Sequence, residues 1–359
     1  MSESLILGEK ILSLLDEAAL TSTYKPALLV SLVDLAPLHI DDPEIKVEAL
    51  AEKAIELYWP QTLTYGETSS VLLQNQRTQA TIVRDLLEFR SSAGGNAQML
   101  PESARSGEPW RRVLKKVEMS LAEFPIPRLQ IPFDNFLYDF NWPWANQDGW
   151  RITEYRKGSR SITLRPGVAE SLTSLGPLLR PFITRLWTDK AAQLNPALKD
   201  ASSVVEFERF MFGRNRRSLE RIGESLLDLQ GPICFFCVSP IAKERDIDHF
   251  VPWSASGDDG LDNLVVACGK CNRSKSSTLA GPEHLFRLRE RNREWASDLA
   301  RIGDERYWPQ DSDRSSQLAA VRYLHSPDER QLWMARDRRK ARFESLGSHR
   351  ARLVEIFDS

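Results

Sequence analysis

Side chains that can carry out chemistry are concentrated between residues 234 and 272. This stretch contains all four cysteines of the chain, an Asp-His pair at Asp248 and His249, and the asparagines Asn263 and Asn272. Thiolates bind zinc, carboxylate and amide oxygens bind harder cations, and imidazole exchanges protons near neutral pH. One short segment therefore combines ligands for two kinds of metal ion with a candidate general base.

The cysteines form two C-x-x-C pairs, Cys234 with Cys237 and Cys268 with Cys271. In a reducing compartment such pairs are more often zinc knuckles than disulfides, because each pair presents two sulfurs to one tetrahedral ion. Disulfide pairing is the alternative. Four thiolates would leave no coordination position for water, so the predicted zinc is structural rather than catalytic.

The residues between the two cysteine pairs predict two strands, and those from the second pair onward predict a helix. "RDIDHFVPW" is typical of a short strand with Asp248 and His249 at its centre, and "SGDDG" is typical of a loop. "LDNLVVAC" returns Asn263 towards the second cysteine pair, and "GKCNRSKSSTL" opens a helix. The Asp-His pair is thus predicted to lie beside the cysteine cluster.

This segment resembles the HNH endonuclease family, the ββα-metal nucleases, in its zinc-stabilised form. The resemblance rests on "DIDHF", "LDNL" and "CNRSKS", with 14 residues from His249 to Asn263 and nine from Asn263 to Asn272. These intervals are similar to those in the HNH domains of RNA-guided CRISPR nucleases. The resemblance implies hydrolysis of DNA phosphodiester bonds with one Mg²⁺ or Mn²⁺ ion.

The resemblance also implies a catalytic role for each residue of the motif. His249 would be the general base that deprotonates the attacking water, and Asp248 and Asn272 would bind the catalytic ion. Asn263 would hydrogen-bond backbone groups and so hold the loop that orients His249. Many family members have histidine where this chain has Asn272, which leaves the metal preference open.

The predicted helix after the second cysteine pair carries two basic residues, Arg273 and Lys275. Both are expected to bind substrate phosphate, and a solvated helix face is the alternative.

One active site cuts one strand. A double-strand break would therefore require a dimer, a second cut or a partner.

The whole chain predicts a mostly helical α+β fold with the ββα-metal module embedded among helices. Its 359 residues suggest two or three domains. We divide them into a helical N-terminal domain (1–128), a β-hairpin plus helical middle region (129–230), the nuclease module with its zinc knuckles (231–280) and a helical C-terminal region (281–359).

Three segments carry further structural expectations. "YKPALLVSLVDLA", "PEIKVEALAEKAIELYW" and "TQATIVRDLLEFR" predict helices of a winged-helix-like module or of a simple helical packing domain. "WRITEYRKGSRSITLRPG" predicts a β-hairpin whose arginines lie along DNA or form a solvated face. "QLWMARDRRKARFESLGSHRARLVEIF" predicts an Arg-rich amphipathic helix.

Charge and hydropathy limit the partners and the location. The net charge is −2, but the first 60 residues hold four basic and eleven acidic side chains, a balance of −7 that favours a protein partner or a homo-oligomer over DNA. No apolar run approaches the roughly 18 residues of a membrane span, and the N-terminus lacks a signal-peptide pattern. We therefore expect a cytoplasmic protein without a membrane partner.

The flanks also resemble predicted bacterial restriction and anti-phage defence HNH proteins, in which a helical region with "YKPALLVSLVDLA"-like and "IELYWP"-like stretches precedes the nuclease. That resemblance implies a defence role. The rival interpretation is a catalytically silent, zinc-stabilised adaptor that binds DNA or protein. RNA as the substrate is a third interpretation, although no aromatic RNA-recognition signature favours it.

Overall fold

The computed structural model shows an α+β fold with much helix and small sheets, as predicted. It describes residues 3–17, 21–65, 71–93, 100–131, 134–143, 155, 159–196, 204–212, 219–241, 245–306, 308–337 and 340–358. The chain groups into two compact units, Met1–Asn215 and Arg216–Ser359. The four-part division proposed from the sequence is finer than this grouping, and its middle region continues past Asn215.

The first unit is built mainly from helices around one apolar core. Trp59, Trp187 and Tyr58 are fully buried in the core. The helices are α1 (Glu3–Glu17), α2 (Tyr24–Leu35), α3 (Val47–Tyr58), α4 (Thr81–Ala93), α5 (Gly107–Glu123), α6 (Pro125–Arg128), α7 (Val168–Leu194) and α8 (Val204–Phe212). The three helices predicted within residues 24–90 are present as α2, α3 and α4.

A small antiparallel sheet completes this unit, in the order β1 (Glu44–Lys46), β3 (Ser161–Leu164), β2 (Tyr138–Phe140). The first arm of the predicted hairpin, apart from Tyr155, lies outside the described residues. Its second arm contains β3, whose two edges pair with β1 and β2, so β3 does not form the predicted two-stranded hairpin. The DNA-binding role of its arginines and the winged-helix interpretation stay predictions.

The second unit contains the predicted ββα order. It begins with α9 (Glu220–Gln230) and continues into β4 (Arg245–His249), the short α10 (Trp253–Ser256), β5 (Leu264–Cys268) and α11 (Gly269–Lys275). Strands β4 and β5 pair antiparallel, from Arg245 opposite Cys268 to His249 opposite Leu264. The two strands and the helix predicted here are therefore confirmed.

The C-terminal part of the unit corrects one prediction. The Arg-rich segment predicted as one helix forms two strands over its first part and an α-helix only from Arg350 onward. The strands form because Leu332 and Trp333 are buried where the first strand pairs with β6 (Leu279–Ala280). Tertiary pairing of this kind outweighs the helix propensity of the Ala, Arg and Glu around it. The elements are β6 (Leu279–Ala280), α12 (Pro282–Glu294), α13 (Ala296–Arg306), α14 (Ser312–Leu324), β7 (Gln331–Asp337), β8 (Lys340–Ser345) and α15 (Arg350–Asp358).

This C-terminal sheet packs against the ββα segment. The ring of Trp333 on β7 meets Phe236 edge to face at 5.3 Å, and its indole N–H donates to Ser274 Oγ at 3.0 Å. Because Ser274 lies on α11, the sheet fixes the position of that helix. Among the described helices, none combines the length and apolar character that a membrane span requires.

Candidate active site

The four cysteines converge on one point. Their Sγ atoms all lie within 4.8 Å of one another, with Cys234 and Cys271 buried and Cys237 exposed. A tetrahedral zinc with Zn–S bonds of about 2.3 Å holds its sulfurs about 3.8 Å apart. The cluster can therefore hold a metal ion.

Backbone hydrogen bonds shape the first cysteine pair and connect it to the second. The N–H of Val238 donates to the carbonyl of Cys234 at 2.9 Å, which closes the C-x-x-C turn. The N–H of Phe235 donates to the carbonyl of Val266 on β5 at 2.9 Å. Since β5 ends at Cys268, this bond brings the two cysteine pairs together.

The thiols interact strongly enough to shift one another's protonation. A hydrogen bond from Cys271 lowers the pKa of the Cys234 thiol to about 4, and the same interaction raises the pKa of Cys271. Burial raises the pKa of Cys268. A bound divalent cation would supply the positive charge that several neighbouring thiolates need.

Strand β4 presents the Asp-His pair. Alternation along the strand directs Asp248 and His249 to opposite faces. The Asp248 carboxylate is buried, with Oδ2 3.0 Å from Lys275 Nζ, and the same amine donates to the carbonyl of His249 at 2.9 Å. Burial raises the pKa of Asp248 and lowers that of Lys275, and the attraction between the two charges opposes both shifts.

This placement corrects the role expected of Lys275. Its side chain is fully buried, so it pairs with Asp248 inside the unit instead of meeting phosphate at the surface. A buried charge is costly unless it is paired, so the amine of Lys275 and the carboxylate of Asp248 lie together. Arg273 is exposed on α11, and phosphate binding by this residue stays a prediction.

Asn263 makes the backbone hydrogen bonds that were expected of it. Its amide pairs with both the N–H and the carbonyl of Val251, at 2.8 and 3.0 Å, and donates to the carbonyl of Asp258 at 3.0 Å. The side chain thereby closes the loop that follows His249. The role of Asn263 in orienting His249 through this loop stays a prediction.

A buried arginine braces the same loop from the C-terminal side. Arg291 on α12 donates to the carbonyls of Asp262 at 3.0 Å and Leu264 at 2.5 Å. Burial lowers the pKa of Arg291 to about 10, which leaves it charged at neutral pH. The segment that carries Asn263 is therefore fixed at both its side chain and its backbone.

Asn272 lies beside Asp246, a carboxylate outside the predicted set of site residues. Its amide donates to Asp246 Oδ2 at 3.0 Å. Asp246 and Asp248 are two residues apart on β4, so they share one face of the strand. This alternation of side chains was the feature of the sequence from which Asp246 could have been predicted as a site residue. Asp248 Oδ2 is buried, and its partner is the Lys275 amine 3.0 Å away. Oxygen donors that suit a hard cation thus lie on β4 and α11, although the pairing of Asp248 with Asn272 stays a prediction.

His249 contacts a second unanticipated carboxylate. Its Nε2 lies 2.7 Å from Asp259 Oδ1, and Asp259 Oδ2 accepts from the indole of Trp253 at 3.2 Å. The indole of Trp308 donates to the carbonyl of Asp259 at 2.7 Å. In the sequence, the only signal was an acidic residue in the loop ten positions after the histidine.

Comparison with known proteins agrees with this geometry. The family model described as HNH endonuclease matches residues 234–280. The chain is also similar to the CRISPR-associated endonuclease Cas9 of Actinomyces naeslundii, with 43% identity over 54 residues. That similarity covers 14% of this chain and 5% of the Cas9 chain. No solved structure matches.

The matched segment includes both strands, α11 and all four cysteines. Residues 234–280 are thus an HNH endonuclease domain, a domain of the nuclease class. The remainder of the chain lies outside the family match.

Proposed function

We propose that this protein is a metal-dependent endonuclease that hydrolyses phosphodiester bonds of DNA. The observation that carries the proposal is that the HNH domain holds His249 and the carboxylates of Asp246 and Asp248 on β4, with Asn272 on α11 donating to Asp246. An imidazole and a set of hard oxygen donors within one small domain suit hydrolysis assisted by a divalent ion. In the proposed reaction His249 takes the proton of the attacking water.

The two metal sites have different roles in this proposal. Asp248 and Asn272, with Asp246 beside them, would hold Mg²⁺ or Mn²⁺, which when bound neutralises charge on the phosphate and the leaving oxygen. The four cysteines would hold a structural zinc that joins the entry of β4 to the start of α11. Arg273, exposed on the same helix, is proposed to bind phosphate.

We further propose a cytoplasmic role in bacterial restriction or anti-phage defence. Reduced zinc-binding cysteines suit a reducing compartment, and an enzyme that cuts DNA suits a defence role. The balance of −7 in the first 60 residues favours a docking surface for a protein partner or a second copy of the chain. Light scattering that finds a monomer at every concentration would contradict the proposal that a second copy of the chain binds this surface.

A catalytically silent adaptor is the second candidate, and one observation favours it. Lys275 already neutralises Asp248, the expected ligand of the catalytic ion, with a fully buried amine. A protein that binds DNA without cutting it has no need to free that carboxylate.

One experiment separates the two functions. Zinc-loaded protein is incubated with end-labelled duplex DNA or duplex RNA of the same sequence, without added ion, with Mg²⁺ or with Mn²⁺. Binding and cleavage are read in parallel by gel shift and by denaturing gel. We expect ion-dependent internal cleavage of DNA. Binding of DNA without cleavage in any ion would favour the adaptor. Preferential cleavage of RNA would overturn the proposal that DNA is the substrate.

A further inference from the structure

We propose that Asp259 is a positioning residue that fixes the tautomer and the ring orientation of His249. This inference rests on the proposed function, in which His249 is the general base. Asp259 lies in the loop between β4 and β5, ten residues after the histidine. Neither the HNH motif residues nor the cysteine cluster includes it.

The hydrogen bond itself defines the tautomer. Nε2 of His249 lies 2.7 Å from Oδ1 of the Asp259 carboxylate. An ionised carboxylate only accepts hydrogen bonds, so the proton of the neutral ring is held on Nε2. The lone pair of Nδ1 is then the one available to accept a proton from water.

Asp259 is held in place from two further directions. The indole N–H of Trp253 donates to its second carboxylate oxygen at 3.2 Å, and the indole N–H of Trp308 donates to its backbone carbonyl at 2.7 Å. A carboxylate fixed in this way does not have to be ordered during the reaction. It is therefore preorganised to orient the ring.

The histidine is also anchored through its backbone. Lys275 Nζ donates to the carbonyl of His249, and β4 pairs His249 with Leu264. The backbone is thus fixed by α11 and β5, whereas the imidazole contact is made by Asp259. The side chain of His249 is 17% exposed and that of Asp259 is 39% exposed, so the pair borders solvent from which water can enter.

The alternative role of Asp259 is to tie down the loop without any effect on the chemistry. The two roles predict different responses to the variants Asp259→Asn and Asp259→Glu. Asparagine keeps the size of the side chain but loses the charge that selects the Nε2 proton, and glutamate keeps the charge. If Asp259 positions the base, we expect Asp259→Asn to lower the cleavage rate about 100-fold and Asp259→Glu to recover part of it.

The test combines cleavage with a measurement that needs no cleavage. Holo protein labelled with ¹⁵N-histidine is examined by long-range ¹H–¹⁵N correlation, which reports the tautomer of each of the five histidines. His249→Ala assigns the resonance, and Asp304→Asn, an exposed carboxylate on α13, is the matched control. Cleavage rates at saturating DNA and DNA affinities without added ion are measured on the same proteins.

We expect wild type and Asp304→Asn to show a proton on Nε2 of His249, and Asp259→Asn to lose that preference with unchanged DNA affinity. An unchanged tautomer in Asp259→Asn would overturn the inference, as would a changed tautomer with cleavage within threefold of wild type. If wild type does not cleave DNA, the proposed function fails on its own. The tautomer comparison then still decides whether Asp259 controls the ring.

Discussion

Cys271→Ser is expected to abolish metal binding by the cysteine cluster and to unfold much of the second unit at physiological temperature. Structural zinc contributes about 10–16 kcal/mol to the folding of small zinc modules, and this cluster joins the first C-x-x-C turn to β5 and α11. Cys271 is also buried in the apolar core that contains Phe236 and Trp333. Its loss therefore affects both the metal site and the packing around it.

The measurement is metal content by mass spectrometry together with thermal unfolding. Wild type should carry one zinc per chain, and Cys271→Ser should carry none. Because each unit has a core of its own, only the transition of the second unit should move. Cys237→Ser, which removes an exposed ligand, should lose the zinc equally, and Ser277→Ala is the surface control. Wild-type protein without zinc, or unchanged melting of Cys271→Ser, would contradict the structural site.

Lys275→Met is expected to destabilise the second unit by roughly 3–5 kcal/mol, because it leaves the buried Asp248 carboxylate without a counter-charge. The double variant Asp248→Asn/Lys275→Met should recover most of that loss, since no charge remains buried at this point. If Asp248 binds the catalytic ion, Mg²⁺ should stabilise Lys275→Met more than it stabilises wild type.

Thermal unfolding of the holo proteins with and without Mg²⁺ checks this prediction. Lys270→Met is the matched control, because Lys270 lies on the same helix and is exposed. We expect Lys270→Met to melt like wild type. A Lys275→Met protein as stable as the control, or a double variant no more stable than Lys275→Met alone, would show that the buried pair does not have the energetic role inferred from its geometry.

The sequence was most informative where chemistry restricts the residue type. Two C-x-x-C pairs predicted that Cys234, Cys237, Cys268 and Cys271 would meet, and the structure brings their sulfur atoms together. The alternation of side-chain directions along β4 and the position where α11 begins could be predicted from short-range patterns in the sequence. The backbone hydrogen bonds of Asn263 followed from the resemblance to the HNH family and are present.

The features that could not be predicted from the sequence depend on packing between residues far apart in the chain. Whether Lys275 lies inside or outside depends on how α11 packs against β4, and a basic residue on a short helix has the same pattern in either case. The contact between His249 and Asp259 depends on closure of the intervening loop, which has no periodicity. The strands after residue 330 form because β6 offers an edge for pairing, and this information lies some 50 residues upstream.

The central claim is that His249 is the base of a metal-dependent DNA nuclease. Cleavage of supercoiled plasmid by zinc-loaded protein tests it most directly, with wild type, His249→Ala and the exposed-histidine control His325→Ala compared with and without added Mg²⁺. We predict nicked or linear product from wild type and His325→Ala only when Mg²⁺ is added, and at least 100-fold less from His249→Ala. Equal cleavage by His249→Ala and wild type would contradict the account.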